Sequence, residues 1–197
     1  MAKLYFRYGA MGCGKTRDLM KVWYNYHEKG KAAIIIKPLV DTKGDDKIVS
    51  RDKSELNTNY IVKKDDNIYD IICKHIINHN LDCILIDEAQ FLERHQVEEL
   101  TDICDDLDIT VICYGLRADF RDQLFPGSNA LFALADVIEE MKTICDCLDG
   151  ATRNVRFLNG EAIFYGEQVA IDGVGEITYK SMCRKCRKKL LRACNKD

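Results

Sequence analysis

Apolar residues along the chain fall into short unbroken runs separated by stretches with helical spacing. Leu4-Tyr5-Phe6, Ala32-Ala33-Ile34-Ile35-Ile36, Cys83-Ile84-Leu85-Ile86 and Ile109 to Tyr114 lack polar alternation. That pattern predicts strands covered on both faces, as in a parallel sheet. Between them, Leu19, Val22, Trp23 and Tyr26 recur at helical spacing from Lys15 to about Glu28, and Gly30 supplies a stop. Trp23 reads as a core aromatic on that helix. Ile68, Ile71, Ile72 and Ile76 mark a second helix, and Val97, Leu100, Cys104 and Leu107 a third. A short strand is expected near 60–62. The polar, aperiodic stretch 38–57 is long for a loop in a compact domain, which points to function or disorder.

This alternation of strands and helices predicts a parallel sheet flanked by helices. It lapses after about residue 142. The remaining segment has strand-like pieces at 151–157, 161–165 and 168–171, two cysteine pairs and a basic end. We therefore expect a main domain over 1–142 and a small β-rich domain over 143–197.

Composition narrows the class. The 197 residues suffice for one substantial core and an appendage. Lysine and arginine total 29 against 32 acids, a formal net charge of −3, which argues against broad association with nucleic acid or membrane. No apolar run approaches the roughly 18–20 residues needed to span a bilayer. The opening MAKLYFRYG starts like a secretory leader, but Arg7 and a glycine-rich loop interrupt it, so a cytoplasmic location is expected. Ten cysteines in such a setting should be reduced. Cys73, Cys83, Cys104 and Cys113 read as buried thiols of the main domain.

The glycine-rich loop carries the first chemistry. GAMGCGKT, residues 9–16, fits G-x-x-x-x-G-K-[ST] between a predicted strand and a predicted helix. Glycines there let main-chain N–H groups cup a polyphosphate, and the next helix points its positive end at the same anion. Gly9, Ala10, Met11, Gly12, Cys13, Gly14, Lys15 and Thr16 are thus expected to wrap a triphosphate. Lys15 would sit at its β- and γ-phosphates, and the Thr16 hydroxyl would ligate Mg²⁺. The fold expected is then the phosphate-loop, RecA-like α/β type.

Downstream, the apolar run ending at Ile86 passes straight into Asp87-Glu88-Ala89-Gln90. In a parallel sheet, strand ends lie on the same edge as the phosphate loop, where ligands bind. Asp87 is placed near Mg²⁺, with Ala89 and Gln90 beside the nucleotide. Glu88 is left to accept a proton from whatever attacks the γ-phosphate. Attack by water would make an ATPase; attack by a substrate hydroxyl would make a kinase.

Cys145 and Cys147 form C-x-C, and Cys183 and Cys186 form C-x-x-C, with 35 residues between the pairs. Two such pairs around a short β-rich segment predict a closed, structural Cys₄ zinc site, stapling a domain too small for a core of its own. The tail CRKCRKKLLR carries six cations from Arg184 to Arg192. Without interleaved aromatics it reads as a terminal helix with its charges in water, not as a nucleic-acid grip.

Together these motifs resemble the type II thymidine kinases, bacterial branch. The stretches that carry the likeness, in order, are LYFRYGAMGCGKT, the DT…VSR loop at 41–51, ILIDEAQFL at 84–92, VICYGLRADFRDQLFPGS at 111–128, KTICDC at 142–147, GEQV at 166–169 and YKSMCRKC at 179–186. The resemblance implies transfer of the γ-phosphate of ATP to the 5′-hydroxyl of thymidine or deoxyuridine, giving dTMP for salvage into DNA synthesis. Glu88 takes the position of the catalytic base. Met11, Phe91, Leu116, Phe120 and Tyr179 match positions around the nucleoside. Val169, Ala170, Ile171 and Asp172 match a lasso whose main chain holds the thymine edge, and Arg51 matches a phosphate-side loop. The family also implies a homotetramer inhibited by thymidine triphosphate. Three departures stand out. The lasso is about two residues longer than the family pattern, with Asp172 where glycine is usual. Asp52-Lys53 replace a common glycine, and Cys186 stands where near relatives often carry histidine.

Overall fold

A computed structural model describes residues 1–39, 47–49, 54–168 and 176–194. Its centre is a six-stranded sheet built from β1 (Leu4–Gly9), β2 (Ala33–Pro38), β5 (Tyr60–Val62), β6 (Cys83–Ile86), β7 (Thr110–Leu116) and β8 (Val137–Glu140). The order across the sheet is β5-β2-β6-β7-β1-β8, and every pairing is parallel.

The unbroken apolar runs have a direct physical cause. Successive residues of a strand point to opposite faces, and both faces of this sheet are covered. Ile34, Ile36, Ile84, Ile86, Val111 and Cys113 face one side, against α2 (Ile68–Ile76), α3 (Arg94–Leu107) and α4 (Pro126–Leu134). Ala33, Ile35, Cys83, Leu85, Ile112 and Tyr114 face the other, against Leu19 and Met20 of α1 (Lys15–Glu28). Each large aliphatic side chain fully withdrawn from water contributes about 1.5–3 kcal/mol, so the two-sided core dominates the stability of this sheet.

Helix ends follow local chemistry. Gly14 caps α1 at φ 86°, and Gly30 just past its end adopts φ 68°. Asn67 caps α2, its side chain accepting from the Asp70 N–H at 2.7 Å. Glu93 and Gln96 form a reciprocal capping box on α3, and Pro126 opens α4.

The structure differs from the sequence expectation in several places. The stretch 38–57 contains an antiparallel pair, β3 (Lys47–Val49) with β4 (Glu55–Asn57), whose Ile48 is buried on the α1 side of the sheet. Strands of three residues are too short to show a period. The edge strand β8 leaves no sequence signal either, because only one of its faces is even partly covered. Trp23 lies at the margin of the core, stacked on His27 at 3.6 Å between ring centroids. Cys83, Cys104 and Cys113 are buried, whereas Cys73 on α2 is only half-buried.

The small sheet has the antiparallel order β10-β9-β11, from β9 (Arg153–Leu158), β10 (Glu161–Ile163) and β11 (Ile177–Met182). The sequence predicts its third strand at 168–171. Gln168 lies outside any strand, 169–171 fall outside the described residues, and the third strand is β11. The half-exposed side chains of β11 give no apolar run to read. The chain then enters α5 (Arg184–Cys194), which carries no buried residue.

Candidate active site

The phosphate loop leaves β1 at Gly9 and enters α1 at Lys15. Gly9 is needed for space: a Cβ there would lie 2.4 Å from the Cys13 Sγ and 2.5 Å from the Met141 carbonyl oxygen. Lys15 is buried, and its ammonium folds onto its own loop, donating to the Ala10 carbonyl at 3.1 Å with the Cys13 Sγ 3.7 Å away. One strand, β7, separates β1 from β6, so Asp87 at the end of β6 lies across one strand from the loop. The Thr16 hydroxyl donates to its Oδ2 at 3.4 Å. Burial and the neighbouring Glu88 push the Asp87 carboxyl up to about 7.

Glu88 occupies the left-handed region at φ 53°, ψ 35°, at the start of a single 3₁₀ turn, Ala89–Phe91. A non-glycine residue there is uncommon, and such conformations collect at functional sites. The Glu88 side chain accepts from the Gln90 Nε2, and Gln90 Oε1 accepts from the Leu116 N–H at 3.0 Å. Fully buried Gln90 therefore ties the acid on the β6 side to the end of β7. Gly115 permits this, since a Cβ there would come within 2.9 Å of Gln90 Oε1.

Beyond this acid lie the aromatic positions. Phe91 is half-buried and meets Phe125 edge-on, with ring centroids 5.4 Å apart. Leu116 and Phe120 are buried at the end of β7 and in the loop after it. Tyr179 stands on β11, across the small sheet from Arg156 on β9. Arg156 reaches to the loop after β7, its guanidinium carbon 3.8 Å from the centroid of the Phe120 ring. Its Nε donates to the Tyr179 hydroxyl at 2.8 Å. Two residues earlier and on the same strand face, Asn154 accepts from the Met11 N–H at 2.8 Å and donates to the Ala118 carbonyl at 3.2 Å.

The structure thus gathers Thr16 with Asp87, Glu88 with Gln90 and Leu116, and Phe120 with Tyr179 through Arg156. Arg51 and Val169 to Asp172 lie outside the described residues. Asn154 and Arg156 are absent from the set expected from sequence. RNVR in a β-rich segment carries no motif, and only the alternation placing both polar side chains on one buried face singles them out. The loop after β7 also holds more than its sequence suggests. Asp119, buried, organises it by accepting from the N–H groups of Arg121 and Gln123 at 2.8 and 2.9 Å. Arg187 of α5 anchors it by donating to the Phe120 carbonyl at 2.8 Å and pairing with Asp122 at 2.9 Å.

The four cysteines of the two pairs do converge. Their sulfurs all lie within 4.8 Å of one another, with Cys147 and Cys183 3.6 Å apart. Thiolates tetrahedrally placed around a zinc ion at about 2.3 Å would be about 3.8 Å apart, so the group fits a metal of that kind. Main-chain N–H groups of Cys147 and Cys183 hold the Cys145 thiol down to about 7. Side-chain hydrogen bonds with the Cys147 and Cys183 sulfurs push the Cys186 thiol up. This cluster can hold a metal ion. Among the described residues no helix is long and apolar enough to cross a membrane.

A phosphate loop at the end of β1, an acidic pair at the end of β6, one parallel strand between them and a four-cysteine module beyond define a phosphate-loop α/β protein with a metal-binding appendage. The family model described as thymidine kinase matches residues 2–187. The chain is 45% identical to a thymidine kinase of Shewanella oneidensis over 188 residues, 94% of this chain and 96% of that protein. It is 44% identical to one of Rhodopirellula baltica over 186 residues, 93% and 87% of the two chains. It is 41% identical to one of Francisella tularensis subsp. tularensis over 192 residues, 94% and 96%. The chain belongs to the thymidine kinase family.

Proposed function

We propose that the chain transfers the γ-phosphate of ATP to the 5′-hydroxyl of thymidine or deoxyuridine, in pyrimidine salvage. The observation that carries the reading is the placement of Glu88. It follows Asp87, which Thr16 of the phosphate loop meets, and Gln90 ties its carboxylate to the Leu116 N–H at the end of β7.

Phosphoryl transfer asks little covalent work of a protein, so positioning and charge do most of it. Residues 9–16 cradle the polyphosphate, Lys15 leaving its Ala10 carbonyl for the phosphates. Glu88 orients the sugar hydroxyl and takes its proton. Thr16 and Asp87 would hold Mg²⁺, which when bound neutralises charge on the phosphates. Their hard oxygen donors suit that ion. Met11, Phe91, Leu116, Phe120 and Tyr179 frame the nucleoside and exclude water, favouring transfer to the hydroxyl over hydrolysis.

In this reading 1–142 is the nucleotide-binding domain. Residues 143–197 form a lasso domain stapled by zinc on Cys145, Cys147, Cys183 and Cys186. The enzyme is cytoplasmic and homotetrameric, and is inhibited by thymidine triphosphate, an end product that carries both a nucleoside and a polyphosphate. The test is to incubate the protein with ATP, Mg²⁺ and each nucleoside in turn. Monophosphate from thymidine and deoxyuridine is expected. Hydrolysis of ATP without any nucleoside product, or stimulated by single-stranded DNA, would overturn the proposal.

A further inference from the structure

Arg156 is 4% exposed, and its three hydrogen bonds among the described residues go to neutral oxygens. Nε donates to the Tyr179 hydroxyl at 2.8 Å, Nη1 to the Glu167 carbonyl at 2.8 Å and Nη2 to the Gln168 carbonyl at 2.7 Å. The plane of the guanidinium is occupied too, lying against Phe120 at 3.8 Å and 5.4 Å from the Tyr179 ring centroid. Withdrawing a cation from water is costly, and neutral acceptors offset only part of that cost. A buried arginine used in this way fixes geometry.

The geometry it fixes joins the small sheet to the loop after β7. Phe120 belongs to the loop after β7, and Arg187 on α5 and the internal bonds of Asp119 hold that loop from below. Tyr179 belongs to β11, and residues 167–168 come after β10. One rigid, planar fork joins all three, with donor directions set by its own bonding. Lysine at this position would bring one flexible ammonium in place of a fork and a stacking plane.

We propose that Arg156 is a positioning residue for the nucleoside base. It sets the separation and mutual angle of Phe120 and Tyr179, and so governs which base the site accepts, without touching the reacting atoms. The inference rests on the assignment of Phe120 and Tyr179 to the nucleoside.

The test uses the full metal-loaded chain carrying Arg156→Lys. The KM for thymidine should rise at least tenfold, while the KM for ATP stays within about twofold and kcat at saturating thymidine within about threefold. Preference for thymidine over deoxycytidine in kcat/KM should fall at least tenfold, because loosened walls discriminate less. Tyr179→Phe, which removes only the hydroxyl that accepts from Nε, should reproduce part of the shift. Combined with Arg156→Lys, it should add less than its own single effect. A thymidine KM within twofold of wild type, or equal rises in both KM values with a lowered melting temperature, would overturn the proposal. Phe120→Leu separates the two assignments. If it leaves the thymidine KM unchanged, the nucleoside assignment itself fails. If it raises that KM while Arg156→Lys does not, only the role given to Arg156 fails.

Discussion

Gln90 donates its side-chain amide to the Glu88 carboxylate. The acid at the end of β6 is thereby held from behind by a fully buried residue, itself fixed by the Leu116 N–H. This contact orders a left-handed glutamate at the mouth of a phosphate loop, and it makes the pair the first place to test the chemistry.

Replacing the proton acceptor while keeping its shape isolates its role. Glu88→Gln should lower kcat for thymidine phosphorylation by about 10²–10⁴-fold, the usual worth of general base catalysis. ATP affinity should change little, because Lys15 and the loop amides are intact. Steady-state kinetics and nucleotide titration check both halves. Wild-type turnover in this variant would remove Glu88 from the role.

Gln90→Leu keeps the bulk and removes both hydrogen bonds. The Leu116 N–H is then left without its partner in a buried site, a loss of about 1–3 kcal/mol. The freed carboxylate should also lose its fixed direction. Thermal melting should fall by several degrees, and kcat by about tenfold, with KM for ATP unchanged.

Gly127 shows how closely α4 approaches the turn after Glu88. A Cβ at this position would lie 2.3 Å from the Ala89 carbonyl oxygen and 2.9 Å from that of Leu92. Gly127→Ala must push the helix and the turn apart, costing about 1–3 kcal/mol and displacing Glu88. Reduced turnover with reduced melting temperature is expected. Gly150→Ala is the control: it meets nothing within 4 Å and should behave as wild type. Equal melting of the two variants would contradict the close packing of α4 on the turn.

Elemental analysis of protein purified without chelator should find about one zinc per chain. Stripping it, or Cys183→Ser, should lower the melting temperature and release order in β9 and β11, which the cysteine pairs flank at 145–147 and 183–186. Because β9 carries Asn154 and Arg156, hydrogen exchange at Met11 and Tyr179 should rise on metal removal. A metal-free protein with unchanged melting and turnover would sink the zinc assignment.

Much of the site is legible in the sequence because its signals are local. The phosphate loop is eight consecutive residues, Asp87 and Glu88 end an apolar run, and each cysteine pair is a spacing. Gln90 is visible as part of the same run, but its bridge to Leu116 is not, since the two are 26 residues apart. Asn154 and Arg156 are illegible for a different reason. Polar residues alternating on a short strand read as a solvated face, and only packing against the loops after β1 and β7 turns that face inward. The strands β3, β4 and β8 are too short or too one-sided to leave a period.

The sequence alone determined the chemistry that backbone spacing can encode: a glycine-rich cradle before a helix, an acidic pair at a strand end, and four thiols in two pairs. It also determined a sheet covered on both faces, because burying alternate residues on opposite sides leaves unbroken apolar runs. Only the tertiary structure decided that β7 lies between β1 and β6, bringing Thr16 to Asp87, and that one arginine of the small sheet spans Phe120 and Tyr179. Those relations join residues far apart along the chain. Their energies come from packing and desolvation at contacts that no local pattern records.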